Sequence, residues 1–368
     1  MKVRLVIILL FIILLQGCGE PNIIEDLGFM HSVAYDLNTE NPTEEGRLII
    51  TIDTPQVDQT AEDLREVLTT KAHALKEGTS NIARKSDRKL VAGQLRSVLF
   101  NQDLAKEGIM PIINSLDRDS HIGLHVKVIV VEGGTGKELL FEEYSRHPRT
   151  SRYLHDLIDK EADQSVVIGT SLYQFSRDYY DDGIDPVCPI IKKGENEIII
   201  DGIALFREDK YVNKLTPDES LFFHMLYSDY EEKNVYFNIA LEDEDDVFTS
   251  FSVLEVRPKF IVTSPDVLEI NLQVKGIIEE YSGTSDLSVR EPKMKLENQL
   301  EEYIQKKSQN VITKLQQFGV DSIGFGTYVR NSVRYSEWKE MNWIESIYPD
   351  AQITVNTEVR IKGTGSIK

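Results

Sequence analysis

Residues 292–318, PKMKLENQLEEYIQKKSQNVITKLQQF, carry the strongest helical periodicity in the chain. Their apolar side chains recur at intervals of three and four residues, from Leu296 through Leu300 to Leu315, and fall on one stripe. Gly319 follows as a suitable C-terminal cap. At 1.5 Å per residue the helix would be roughly 40 Å long. The stripe predicts a helix whose apolar face packs on a sheet.

The sheet for this helix is predicted from the strands on either side of it. Residues 248–256, 267–280 and 352–361 alternate apolar and polar side chains, as half-buried strands do. We therefore expect these three strands to receive the apolar stripe.

The preceding part of the chain mixes strand and helix patterns without an internal repeat. Strands are predicted at residues 47–53 and 125–131, and a hairpin is predicted around residues 198–213. A helix is predicted to begin at Thr60 and to continue through Leu64, Val67 and Leu68.

The predicted fold class is α+β, with several domains and with mixed or antiparallel sheets that are each packed with helices. Composition changes divide the chain into a signal peptide (residues 1–17), an N-terminal α+β domain (18–190), a middle α+β domain (191–246) and a C-terminal α+β domain with the long helix (247–368).

The first 18 residues, MKVRLVIILLFIILLQGC, have the pattern of a lipoprotein signal peptide. Two basic residues precede an apolar run at residues 5–15, which is shorter than the roughly 20 residues of a membrane-spanning helix. Leu15 and Gly17 resemble the recognition residues of a lipoprotein signal peptidase, and Cys18 would then carry diacylglycerol and acyl lipid. An uncleaved anchor helix and a plain secretory signal are the alternatives.

The charge of the chain argues against nucleic acid as a partner. Asp and Glu total 61 against 41 Lys and Arg, which gives a formal net charge of -20. Phosphate backbones are bound by clustered basic residues. The same charge disfavours adhesion to anionic lipid head groups, so membrane attachment would depend on the lipid at Cys18.

Cys18 and Cys188 are the only cysteines. Lipidation of Cys18 would leave Cys188 without an intrachain disulfide partner, so stability must come from packing. Cys188 lies in a loop-like sequence that is rich in Asp and Pro. A partly buried, inert thiol is favoured over a catalytic one, because no histidine lies in a recognisable partner motif.

The motifs that suggest chemistry fail on spacing. The glycine-rich turn at residues 133–137 lacks the first glycine and the final hydroxyl of a phosphate loop. Residues 178–189 resemble a calcium loop but end in Pro189, where a bidentate Glu is needed. We therefore expect no enzyme activity, no cofactor and no metal site.

Several short motifs in order resemble the Ger(x)C family, the C subunits of bacterial spore germinant receptors. Besides the lipobox, the motifs are IEDLG at residues 24–28, LAKEGI at 104–109, LDRD at 116–119, GIALF at 202–206, DSIGFG at 321–326, and Trp338 and Trp343.

This resemblance implies a non-enzymatic lipoprotein on the outer face of the spore inner membrane. Its partners would be an A-type and a B-type integral-membrane receptor subunit, and together they would respond to nutrients. Aromatic residues are favoured at the centres of interfaces. Any exposed member of Tyr179, Tyr180, Phe325 and Trp338 is therefore a candidate partner contact.

Two other classes of protein stay open from the residues alone. A lipid-anchored solute-binding protein would need a ligand cleft between two similar lobes. A lipid-anchored cell-wall enzyme would need a catalytic arrangement that the sequence does not display.

Overall fold

The structure is a computed structural model that describes residues 26–56, 65–144, 147, 149–240 and 247–364. Leu15, Gly17 and Cys18 lie outside these residues, so the predictions for the signal peptide and the lipid anchor stay predictions. Within the described ranges, no helix is both long enough and apolar enough to cross a membrane.

The first half of the molecule is built on an eight-stranded mixed sheet and a small strand pair. The strands are β1 Leu27–Phe29, β2 Ser32–Leu37, β3 Leu48–Pro55, β4 Arg65–Ala72, β5 Lys89–Val91, β6 Ser97–Asn101, β7 Lys127–Glu132, β8 Val187–Lys193, β9 Ile198–Arg207 and β10 Lys210–Leu215. The large sheet has the strand order β10-β9-β8-β7-β6-β2-β3-β4. Strands β2, β6, β7 and β8 are parallel to one another, and the outer strands pair antiparallel. Strands β1 and β5 form the separate parallel pair.

Helices cover both faces of this sheet. They are α1 Leu75–Ala83, α2 Gln102–Glu107, α3 Met110–Asp117, α4 Gly136–Phe141, α5 Thr150–Asp163 and α6 Leu172–Tyr180. Successive side chains of a strand point to opposite faces, so Val98 and Phe100 enter one apolar core and Leu99 enters the other. This explains why the central strands are apolar throughout, with little alternation.

A four-stranded sheet and its helices form the second half. The elements are α7 Pro217–Tyr227, β11 Tyr230–Ala240, β12 Phe248–Ser264, β13 Val267–Tyr281, α8 Arg290–Phe318, α9 Phe325–Ser332, α10 Tyr335–Met341, a π-helical turn Trp343–Ile347, a 3-10 turn Tyr348–Asp350 and β14 Gln352–Thr364. The strand order is β11-β12-β13-β14.

Helix α8 confirms the prediction made from residues 292–318. Leu296, Leu300 and Leu315 are buried in one core with apolar side chains of β12, β13 and β14.

Helix α8 also covers the free edge of β14. The backbone N–H groups of Val355, Val359 and Ile361 donate hydrogen bonds to three side chains of the helix, which are respectively those of Gln309, Glu301 and Glu297. The edge strand is thereby protected from pairing with another chain.

The prediction of a helix from Thr60 through Leu68 is wrong for residues 65–68, which the structure describes. Residues 65–72 form β4, which pairs antiparallel with β3 along its whole length, from Pro55 opposite Arg65 to Leu48 opposite Ala72. Leu64, Val67 and Leu68 have helical spacing, but pairing with β3 decides the conformation. Thr60 and Leu64 lie outside the described residues.

The strand pairing also bears on the predicted limits of the domains. The limit between residues 190 and 191 falls inside β8, and β9 and β10 continue the same eight-stranded sheet. Strand β11 instead pairs with β12 of the second sheet. Apolar side chains of β9 and α7 share one core with α8, so the two sheets meet through a common core.

Mixed sheets packed with helices confirm the predicted α+β class. The two sheets differ in strand number and strand order, so they are not two similar lobes of the kind expected for a solute-binding protein.

Candidate functional site: a cleft where the two sheets meet

Asp321 organises the loop that joins α8 to α9. Gly319 ends α8 in a left-handed conformation, with φ 64°. The Asp321 carboxylate then accepts hydrogen bonds from the backbone N–H groups of Gly324, Phe325 and Gly326, at 2.9, 2.9 and 2.7 Å. These are N–H groups at the start of α9 that have no partner within the helix. The loop is therefore held by one buried side chain.

The same carboxylate fixes an aromatic residue from further along the chain. The Trp343 indole Nε1–H donates to Asp321 at 2.9 Å. Trp343 in turn packs near Trp338 and Tyr348, with ring centroids 6.2 and 5.6 Å away. Asp321 thus ties the α8–α9 loop to the segment before β14.

Asp185 connects this loop to the first sheet. Its carboxylate accepts from the backbone N–H of Asp321 at 2.8 Å and from that of Glu208 at 3.0 Å. Its own backbone N–H donates to the Asp321 carbonyl at 3.0 Å. Glu208 lies in the turn between β9 and β10, so Asp185 joins that hairpin to the α8–α9 loop.

A close backbone contact accompanies these hydrogen bonds. Gly183 has φ +98°, and a Cβ on it would lie 2.5 Å from the carbonyl carbon of Gly326. The backbone N–H of Thr327 donates to the Gly183 carbonyl at 3.1 Å. Only glycine at position 183 permits this approach.

An ion pair lies beside the backbone contact. Arg330 of α9 reaches the carboxylate of Asp181 at 2.5 Å and the carbonyl of Asp182 at 2.6 Å. The segment that precedes β8 is therefore joined to α9 by side-chain contacts as well as by backbone contacts.

Burial dominates the electrostatics of the two carboxylates. It raises the pKa of Asp321 to about 7, although its backbone donors and the Trp343 indole act in the opposite direction. Burial also raises the pKa of Asp185, while the backbone N–H groups of Glu208 and Asp321 partly offset the effect. Both groups hold the backbone in place, because their hydrogen bonds go to backbone and indole donors.

The junction leaves an open cleft of about 410 Å³ above the two carboxylates. Tyr179 and Arg207 line it from the first sheet, and Trp338, Lys339 and Trp343 line it from the second. Arg207 also forms an ion pair with Glu345. Tyrosine and arginine are enriched at protein interfaces, so Tyr179 and Arg207 make this cleft suited to protein contact. Among the described residues, no group of three or more His, Cys, Asp or Glu is placed to hold a metal ion.

The four aromatic residues proposed as contacts have different surroundings. Tyr180 is 65% exposed, and its hydroxyl donates to Asn114 at 2.9 Å. Tyr179 is half-buried, lines the cleft and meets Tyr180 edge to face at 4.9 Å. Phe325 is fully buried in the core, and Trp338 is only 8% exposed. Only exposed residues are predicted as partner contacts. Tyr180 and Tyr179 therefore remain candidate contacts, whereas Phe325 and Trp338 do not, because they are buried.

Cys188 is a free, fully buried thiol in β8. Burial raises the pKa of this thiol, which disfavours the reactive thiolate. The sequence around Cys188 predicts a loop, but Cys188 lies in strand β8, which begins at Val187.

Sequence reasoning alone misses the roles of Asp185, Asp321 and Gly183. The sequence indicates only a turn at residues 321–326, and the calcium-like pattern at 178–189 points to the wrong chemistry for Asp185. The available signal is a glycine followed two residues later by an aspartate, which occurs at Gly183 and again at Gly319.

The fold is similar to that of a solved protein structure. A solved structure described as the GerBC protein superimposes with a TM-score of 0.57 over 90% of this chain and 96% of that one. The two sequences are 14% identical, so this likeness shows the fold alone.

Two family models define the class of the chain as that of spore germination proteins. Residues 20–193 match the spore germination protein N-terminal domain, and residues 201–365 match the spore germination B3/GerAC-like C-terminal domain. The chain belongs to this Ger(x)C family of spore germination proteins.

Two curated relatives have a similar length. Spore germination protein GerQC of Bacillus cereus is 25% identical over 365 residues, which cover 98% of this chain and 99% of the relative. Spore germination protein KC of Bacillus subtilis (strain 168) is 22% identical, over 98% of this chain and 95% of the relative.

Proposed function

We propose that the chain is a non-enzymatic, lipid-anchored subunit of a spore nutrient germinant receptor. The observation that carries this proposal is the pair of germination-family matches at residues 20–193 and 201–365, which together span almost all of the chain in order. Its role is to support nutrient-triggered germination through contacts with other proteins at the membrane.

The anchor in this proposal is the lipid on Cys18. Cys18 follows a short apolar run, with Leu15 and Gly17 as the residues read by the signal peptidase. Two or three acyl chains hold a protein on a membrane where one chain would bind weakly. The protein then lies on the outer face of the spore inner membrane.

The partners in this proposal are the A-type and B-type integral-membrane subunits of the receptor. Tyr180 is the best-placed candidate contact, because it is exposed and its hydroxyl is held by Asn114. An aromatic side chain that is already ordered loses little conformational entropy when a partner covers it. Tyr173 lies on the same helix, is 54% exposed and serves as a matched control.

Co-purification from spore inner membranes tests the contact. We expect Tyr180→Ala to lower the recovery of the A-type and B-type subunits by roughly tenfold, as truncation of a central aromatic contact does. Tyr173→Ala should leave recovery unchanged. Equal recovery with the wild type and both variants, at equal amounts of this chain, would refute the assignment of Tyr180.

A further inference from the structure

A second cavity lies within the first half of the molecule, away from the cleft. It has a volume of about 330 Å³ and opens over one face of β2 and β3. Val33 and Tyr35 of β2 line its floor, opposite Ile52 and Ile50 of β3 in the antiparallel register. Cavities of this size that are lined mainly by apolar side chains are typical of small-molecule sites.

Helix α1 forms the cavity's roof. Leu75, Lys76, Thr79 and Ile82 line it, and their spacing places them on neighbouring positions of one helical face. The helix touches the sheet directly at Gly78, where a Cβ would lie 2.3 Å from Cδ1 of Ile50. Because the backbone already meets the sheet there, α1 cannot move closer and fill the space beside this contact.

The floor includes one tyrosine, Tyr35. Tyr35 is only 6% exposed, and its ring stacks on Phe100 with centroids 5.8 Å apart. In the described part of the chain, no hydrogen bond is made by the Tyr35 hydroxyl, and burial raises the pKa of this group. The Tyr35 hydroxyl can donate or accept a hydrogen bond, and a molecule in the cavity that Tyr35 lines is placed to provide the partner.

The mouth of the cavity does not select for charge. Lys76 and Asp119 both line it and are exposed, and their charges are opposite. One carboxylate oxygen of Asp119 is occupied by the backbone and side chain of His121, each at 3.0 Å. The interior is apolar around Tyr35, and an ion there would lose its hydration without a counter-charge. The arrangement therefore favours an uncharged occupant.

We propose that this cavity binds a small, uncharged amphipathic molecule, with an apolar body and one hydroxyl or carbonyl group that pairs with the Tyr35 hydroxyl. The apolar body fills the space between α1 and the β2–β3 face. This site is separate from the cleft, and the proposal does not depend on a role in germination.

Methyl NMR of the full-length protein in detergent micelles tests the site, with benzyl alcohol and toluene as probes. The two probes share an aromatic ring and differ in the hydroxyl group. Ile50, Ile52 and Ile82 line the cavity, whereas Ile304 and Ile353 lie in the core of the second sheet. We expect benzyl alcohol to shift the first three methyl signals in a saturable way and to leave the other two unchanged.

Variants distinguish binding of the probe at this site from its partition into the micelles. Thr79→Phe places a ring at the mouth and should abolish the shifts, whereas Ser80→Phe, at an exposed neighbour on α1 outside the lining, should preserve them. Tyr35→Phe should weaken benzyl alcohol about fivefold, as loss of one hydrogen bond does, with toluene unaffected. Unchanged signals of Ile129 and Ile158, which lie in the core on the other face of the first sheet, confirm that this half of each variant folds.

Three results would overturn the proposal. The first is a lack of shifts at Ile50, Ile52 and Ile82, or shifts that are equally large at Ile304 and Ile353. The second is binding of benzyl alcohol that survives Thr79→Phe. The third is equal affinity for benzyl alcohol in the wild type and Tyr35→Phe.

Discussion

Asp321 is the residue on which the junction between the two sheets depends most. Four donors converge on its carboxylate: the backbone N–H groups of Gly324, Phe325 and Gly326, and the Trp343 indole. A carboxylate can accept all four, but an amide has only one acceptor oxygen.

Asp321→Asn should therefore destabilise the protein. The amide NH₂ would face donors, and at least one buried N–H would lose its partner, at a cost of about 1–3 kcal/mol for each such group. Urea unfolding monitored by tryptophan fluorescence measures the loss. Asp350→Asn, at an exposed position, is the control and should change little. Equal unfolding midpoints for the two variants would contradict this account of the junction.

The Asp36 carboxylate binds the backbone N–H groups that a phosphate would otherwise occupy at the glycine-rich turn of residues 133–137. Its carboxylate accepts from the backbone N–H groups of Gly136 and Lys137, at 2.7 and 2.9 Å. These groups begin α4, so a side chain of the protein itself occupies the end of the helix where an anion would bind. Burial raises the pKa of Asp36 to about 6.

Stability should consequently depend on pH through Asp36. The pKa is higher in the folded state than the 3.8 of the unfolded chain, so the folded state binds the proton more tightly. The contribution of Asp36 protonation to the free energy of unfolding is fully present below about pH 4 and is lost as the pH rises through 6. The total change is about 3 kcal/mol.

The difference in unfolding free energy between the wild type and Asp36→Asn isolates this group. Measured by urea titration from pH 4 to pH 7, the advantage of the wild type should fall as the pH rises. A constant difference, or one that grows with pH, would show that the pKa of Asp36 is not raised.

At the scale of elements, α8 holds the second half of the molecule together. Leu300 and Leu315 are fully buried against the four-stranded sheet. Replacing either with Ala should cost about 2–5 kcal/mol, because each change leaves a cavity as well as removing apolar contact. Lys306→Ala, on the exposed face of the same helix, is the matched control.

Denaturant midpoints measure these costs. Near-wild-type midpoints for both leucine variants would show that the stripe does not pack as described. A loss of equal size in Lys306→Ala would mean that burial is not the cause of the leucine effects, because a change to Ala does not lower helix propensity.

The contrast between α8 and β4 shows what the sequence can predict. A stripe that persists from Leu296 to Leu315 specifies a helix, because only a helix puts those residues on one face. Around Val67 and Leu68 the apolar pattern is short and fits a helix or a strand equally well. Its conformation follows from pairing with β3, which lies earlier in the chain and whose register the local pattern does not contain.

At the scale of the whole molecule, the cleft could not be predicted from the sequence. Asp185, Glu208, Asp321 and Trp343 come from four separate turns, and the hydrogen bonds that join them depend on how the two sheets meet. The aromatic residues illustrate the same limit. Tyr180 and Phe325 both lie near glycine-containing turns, yet one is exposed and the other is fully buried.

We propose that this protein works in nutrient-triggered germination as a membrane-anchored receptor subunit. The direct measurement is germination of spores that lack this chain, in a strain without a redundant copy. The deletion spores are compared with spores complemented by the wild type and by Cys18→Ala.

We predict that deletion abolishes the response to the receptor's nutrient and spares nutrient-independent germination. The wild type should restore the nutrient response, and Cys18→Ala should restore it poorly because the proposed lipid anchor would be absent. Normal nutrient germination of the deletion spores would contradict the receptor role.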